Sequence, residues 1–89
     1  MTLYYPAVIK KTETGYKVRF VDLAMCEAEG RDLEDALENA RYEGVNWVLS
    51  EQEETMDLPM QTHLEDIKLG EGETARMIAL IMPREGWDE

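Results

Sequence analysis

Residues 33–48 read LEDALENARYEGVNWV. Leu33, Ala36, Leu37, Ala40, Gly44, Trp47 and Val48 recur at three- and four-residue intervals, and Glu34, Asp35, Glu38, Asn39, Tyr42, Glu43 and Asn46 fill the positions between. That period predicts one amphipathic helix whose apolar stripe needs a sheet to cover it. Asp32 is placed to cap it by accepting hydrogen bonds from amides two or three residues on, and Glu34 and Asp35 suit the positive end of the helix dipole. Gly44 costs roughly 1 kcal/mol relative to Ala inside a helix, so its place in the stripe predicts a close approach to the sheet. Glu51, Glu53 and Glu54 oppose the dipole at the other end, which predicts a stop near Gln52.

Upstream, LYYPAVIKKT (residues 3–12) is aromatic and aliphatic and ends in charge, the composition of a strand. Glu13, Thr14 and Gly15 form a turn, with Gly15 free to take positive φ. From Tyr16 the pattern alternates: Tyr16, Val18 and Phe20 on one face, Lys17 and Arg19 on the other, a hairpin strand with a wet, basic back. Pro6 has no amide hydrogen, so it belongs at an edge, at a bulge or near the strand's start. Residues 26–30 make a short third strand, Cys26, Ala28 and Gly30 alternating with Glu27 and Glu29.

Downstream, residues 55–74 form a connection without strong periodicity. Thr62 and Glu65 have the spacing of a capping box, and Gly70 is placed to end the helical turn after them. Residues 75–82, ARMIALIM, are nearly all apolar and suit a strand buried on both faces. Following a helix, this strand is expected parallel to an earlier one through a right-handed crossover. The elements give an α+β class in the order β-β-β-α-β, with three antiparallel strands, one main helix packed on the sheet and a last strand parallel to the first.

The chain has 89 residues, enough for one domain (1–89) with one core. Its longest apolar run, Met77 to Met82, falls far short of the ~20 residues that span a bilayer. The N-terminus places apolar residues before its Lys pair, the reverse of a secretory signal, so a cytoplasmic protein is expected. Cys26 has no disulfide or metal-ligand partner in the sequence and reads as a half-buried small apolar residue. The lone His63 reads as a loop or surface side chain. No cofactor is called for.

The net charge is −11, unevenly placed. Residues 1–21 carry four bases against one acid, and residues 22–89 carry nineteen acids against five bases. Such a surface repels a phosphate backbone, so direct nucleic-acid binding is not expected, although Lys10, Lys17 and Arg19 form a basic strip. A basic protein is the partner this field would steer inward. No nucleophile and base stand at a recognisable spacing, which argues against a hydrolase.

The order of elements resembles the HicB-type antitoxins, and so do particular residues. YYPAVIKKTETGYKVRFVDL (4–23) is similar to that family's opening hairpin, with Tyr5-Pro6-Ala7 and Asp22-Leu23 in the expected places. Cys26, Gly30 and the run LEDALENA (33–40) resemble its Gly-Cys segment and helix. One departure stands out: Ala24-Met25 occupies the place of the family's Pro-Gly. The resemblance covers residues 4–83 and implies a partial ribonuclease H-like fold. Residues 3–12 and 75–82 contain no Asp or Glu, so the strand carboxylates that a two-metal nuclease needs are missing.

The resemblance also implies a function: binding a small basic HicA-type mRNA-interferase toxin and masking its RNA-binding and catalytic face. Many members carry a C-terminal DNA-binding segment; six residues follow Pro83 here, so no separate DNA-binding domain is expected. A docked toxin is expected to meet Glu38, Glu43, Glu51, Glu54 and Asp57, with Trp87 as an anchor. Self-association is also expected, because a small sheet has edges to cover. The alternative is an orphan ligand-binding or regulatory module, with Tyr4, Tyr5, Tyr42 and Trp47 around a pocket.

Overall fold

A computed structural model describes residues 2–54 and 58–82. Strand β1 (Thr2–Lys11) and strand β2 (Tyr16–Phe20) form the hairpin that the alternation predicts, with Ala7 opposite Phe20 and Lys11 opposite Tyr16. Tyr5, Ala7, Ile9, Val18 and Phe20 line its inner face and are buried in the core. Pro6 sits one pair beyond the end of β2, where its carbonyl accepts the Val21 amide at 3.1 Å. The missing proline donor faces the point where β2 has already ended. Gly15 lies outside the left-handed region, contrary to expectation. Its value is proximity: a Cβ there would lie 2.1 Å from the Gly30 carbonyl oxygen.

Strand β3 (Glu27–Gly30) pairs antiparallel with β2. The turn before it closes through the Cys26 amide on the Leu23 carbonyl at 3.1 Å, with Met25 at φ 60°. Positive φ at the third turn position is what Pro-Gly supplies in a type II turn, so Ala24-Met25 keeps the turn at a steric cost. Met25 is 95% exposed, so its side chain gives nothing back. Met25→Gly is expected to stabilise the fold by about 0.5–1 kcal/mol, the αL relief less glycine's added unfolded-state entropy. Thermal denaturation should show a midpoint raised by about 2–8 °C.

Helix α1 (Leu33–Glu54) begins as expected: the Asp35 amide donates to Asp32 Oδ1 at 2.8 Å, and the Arg31 amide donates to Asp35 Oδ2 at 3.2 Å. Ala36, Leu37, Ala40, Gly44 and Val48 are buried on the sheet. Leu33, at the first turn, is exposed instead. The helix ends at Glu54, two residues past the expected stop. Gly44 makes the predicted close approach, since a Cβ there would lie 2.8 Å from Leu80 Cδ2 and 3.1 Å from Phe20 Cζ. Two large side chains, from strands on either side of β1, meet over the glycine.

Strand β4 (Glu73–Ile81) lies on the outer side of β1, giving the order β3-β2-β1-β4. It runs antiparallel to β1, Thr2 opposite Ile81 and Lys10 opposite Glu73, which corrects the expected parallel strand. The reason lies in the connection. Helix α1 carries the chain away from the hairpin end, and a parallel β4 would start at the far end. The eighteen residues from 55 to 72 reach at most about 60 Å, ample to return along a strand of roughly 30 Å. Three contacts fix that return: Tyr5 Oη–H donates to the Pro59 carbonyl at 2.8 Å, Gln61 Nε2 donates to the Tyr4 carbonyl, and Asp22 binds Thr62.

Thr62 is not a cap. Its amide and its hydroxyl both donate to the Asp22 carboxylate, at 2.8 and 2.5 Å. The short 3-10 helix, Leu64–Asp66, has His63 at its N-cap without a side-chain bond, and Gly70 starts the turn into β4 rather than ending a helix. The positive φ of that turn falls on Gly72, at 78°.

Candidate functional site

Among the described residues, exposed acids gather where β3 ends and α1 begins. Glu29, Asp32, Glu34, Asp35 and Glu38 are all exposed there, with Arg31 as the one base among them. Arg31, Asp32, Glu34, Asp35 and Glu38 line an open groove of about 410 Å³. Two of these acids are partly spent on structure: Asp32 caps the helix, and Asp35 accepts the Arg31 amide. Glu34 and Glu38 are four residues apart, one turn along the same face. Glu38 meets Arg41 at 3.6 Å, an exposed pair worth little in stability.

Of the residues expected to meet a partner, Glu38, Glu43 and Glu51 do not form one patch. Glu38 and Glu43 are both exposed on α1, but at 100° per residue they point about 140° apart. Glu43 turns toward the β3 side, where it adds to the field at Cys26. Glu51 is half-buried, because at 100° per residue it falls within about 20° of the buried Ala40 and Gly44 on the sheet-facing stripe. Glu54 is the last residue of α1, and Asp57 and Trp87 lie outside the described residues. Glu34, read from sequence only as a first-turn acid, joins Glu38 instead; its i,i+4 relation to Glu38 was the available signal.

The four aromatics of the alternative reading are dispersed. Tyr5 is buried, with its hydroxyl on Pro59, and Trp47 Nε1–H donates to the Ala24 carbonyl at 2.9 Å. Tyr4 and Tyr42 are exposed, 51% and 69%, and no pocket gathers the set among the described residues. The basic strip is real but offset. Lys10, Lys17 and Arg19 share the outer sheet face with Glu27 and Glu73, and Lys17 pairs with Glu27 at 3.1 Å. His63 is exposed, beside Leu64, Glu65 and Met77. Among the described residues no group of three His, Cys, Asp or Glu could hold a metal ion, and no helix is long and apolar enough to cross a membrane.

Cys26 is buried in the core rather than half-buried. Burial, then the charges of Glu43 and Glu27, push its thiol from an ordinary 9.0 up to about 11. Burial and the nearby Asp22 also raise the Tyr5 phenol. Both groups hold their protons more tightly folded than unfolded, so the stability they contribute is complete below pH 9 and is lost as the pH rises through about 11 for Cys26. Denaturant melts should therefore show stability falling in that alkaline range, with a smaller fall in Cys26→Ala. A disulfide reagent should label the native thiol far more slowly than the unfolded one at neutral pH.

No sequence-family profile and no curated protein sequence matches this chain. Solved structures do. The N-terminal domain of Burkholderia pseudomallei antitoxin HicB superposes with a TM-score of 0.70 at 20% identity, over 85% of this chain and 95% of that one. The fold is that of the HicB antitoxins. A chain of a HicA3 and HicB3 toxin-antitoxin complex matches the HicB-type fold here at TM-score 0.66 and 23% identity, over 84% of this chain and 94% of its own. A chain of a toxin-antitoxin complex from Streptococcus pneumoniae gives 0.66 at 19% identity, over 89% of this chain and 69% of its own.

Proposed function

We propose that this HicB-type chain is an antitoxin-like binding protein. In this reading it neutralises a small basic HicA-type mRNA-interferase toxin by covering the toxin's RNA-binding and catalytic face, and it has no catalysis of its own. The observation that supports this most is the likeness in fold to antitoxin HicB and to chains of two toxin-antitoxin complexes. The physical support is the charge. A surface that binds RNA is basic, and an acidic partner competes for the place of the phosphates. Glu34 and Glu38 at the β3–α1 corner are the proposed centre of the contact, with Asp35 beside them. Glu43 on the other flank of α1 contributes to the field. Glu51 and Glu54 on α1, together with Asp57 and Trp87, complete the set of residues proposed to meet the toxin. The proposal takes residues 1–89 as one HicB-like module.

The test is capture of partners by the tagged chain from its own source lysate, at low and at high ionic strength. The expected result is a small basic protein retained in stoichiometric amount at low salt and partly lost at high salt. Glu34→Lys with Glu38→Lys should reduce the capture at least tenfold. Absence of a basic partner at both salts, with the chain folded, would reject the proposal.

A further inference from the structure

Among the described residues Met25 is the one non-glycine with a positive φ, and its backbone is fixed from both sides. The carbonyl of the peptide that joins Ala24 to Met25 accepts the Trp47 indole N–H at 2.9 Å, and the Cys26 amide that follows donates to the Leu23 carbonyl at 3.1 Å. Leu23 is fully buried, so the turn stands on the core. Its surroundings therefore impose the left-handed backbone on Met25, and a glycine would adopt it without the clash at Cβ. Backbone strain of this kind gathers at functional positions.

The side chain carried there is apolar and, at 95% exposed, the most exposed large hydrophobic among the described residues. A lone apolar side chain in water is ordinary. One held out on a rigid, strained turn is not.

The surface around it is arranged as an interface is. Half-buried Trp47 supplies a second apolar group beside the turn. The carboxylates of Glu27 and Glu43 stand near enough to act on the neighbouring Cys26 thiol. Glu27 shares its charge with Lys17 at 3.1 Å, whereas Glu43 has no ion pair among the described residues. An apolar centre with a charged rim is the anatomy of a protein contact, and methionine and tryptophan are enriched in such centres. Because this rim is acidic, the partner it fits is basic.

We infer that Met25 is an apolar anchor of the contact with the basic toxin, seated in a pocket of that partner with Trp47 beside it and Glu43 at the rim. The inference rests on the antitoxin reading and extends it to a residue that no count of charges selects. Strand β3 is an outer strand of four residues, roughly 13 Å long, so the turn before it and the acidic corner after it fall within one interface of about 800 Å² a side. The turn is already fixed in the free chain, so little conformational freedom is lost there on binding.

Calorimetric titration of the purified chain with the small basic protein that co-purifies with it tests this. Met25→Gly keeps the turn and relieves its strain, so the variant is expected to melt higher than the parent and yet to bind about tenfold or more weakly. Met25→Leu keeps an apolar side chain on the same backbone and should bind within about threefold of the parent. A Met25→Gly chain that binds as tightly as the parent would overturn the anchor and leave the antitoxin reading intact. A parent chain that binds no basic protein would overturn both.

Discussion

Gly30→Ala is expected to cost about 3 kcal/mol or more, the upper end for overpacking, because the added methyl meets backbone rather than a movable side chain. A Cβ at Gly30 would lie 2.2 Å from the Ala36 nitrogen, 2.6 Å from Ala36 Cα and 2.7 Å from the Asp35 carbonyl carbon. Relief requires lifting the first turn of α1 off β3, which would also loosen the Asp32 cap. The Gly30 carbonyl is in turn the group against which Gly15 packs, so β3 cannot retreat toward the hairpin. A chain of this length has roughly 5–13 kcal/mol of stability in all, so the variant should lose a large share of it. Urea denaturation would show the loss as a lowered midpoint with a similar slope. A Gly30→Ala protein as stable as the parent would mean that α1 does not sit on β3 as described.

The second large effect is at Leu80, fully buried and the residue nearest a Cβ at Gly44. Leu80→Ala should cost about 3 kcal/mol, through lost transfer energy and the cavity left behind. The informative variant is the pair. In the parent, Gly44→Ala pushes a methyl to 2.8 Å from Leu80 Cδ2, and overpacking of about 1–3 kcal/mol outweighs the ~1 kcal/mol of helix propensity gained. With Leu80 shortened, the same methyl fills part of the cavity, and Gly44→Ala should become stabilising by about 1 kcal/mol. The sign change is what a double-mutant cycle reads, and simple additivity would contradict the contact.

Much of this architecture was legible because local pattern dictated it. Tyr16, Val18 and Phe20 could face the core only as a strand, and residues 33–48 could bury their stripe only as a helix. The Gly44 contact followed from a helix-breaking residue in the middle of that stripe. The direction of β4 did not follow, because it depends on Asp22 holding Thr62 and on Tyr5 holding Pro59, contacts across 40 and 54 residues. No local periodicity reports such bonds, and Thr62 even carried a misleading capping pattern. The charged surface was legible in sign but not in arrangement. Counting acids on α1 put Glu38, Glu43 and Glu51 together, whereas the 100° step separates the first two and turns Glu51 toward the sheet.

One titration tests toxin masking most directly: the purified chain added to RNA being cleaved by its co-purifying basic partner. The expected result is loss of cleavage that is complete near one chain per toxin at low ionic strength, with Glu34→Lys plus Glu38→Lys requiring at least tenfold more protein. Cleavage that continues undiminished while the two proteins remain bound would contradict masking of the catalytic face.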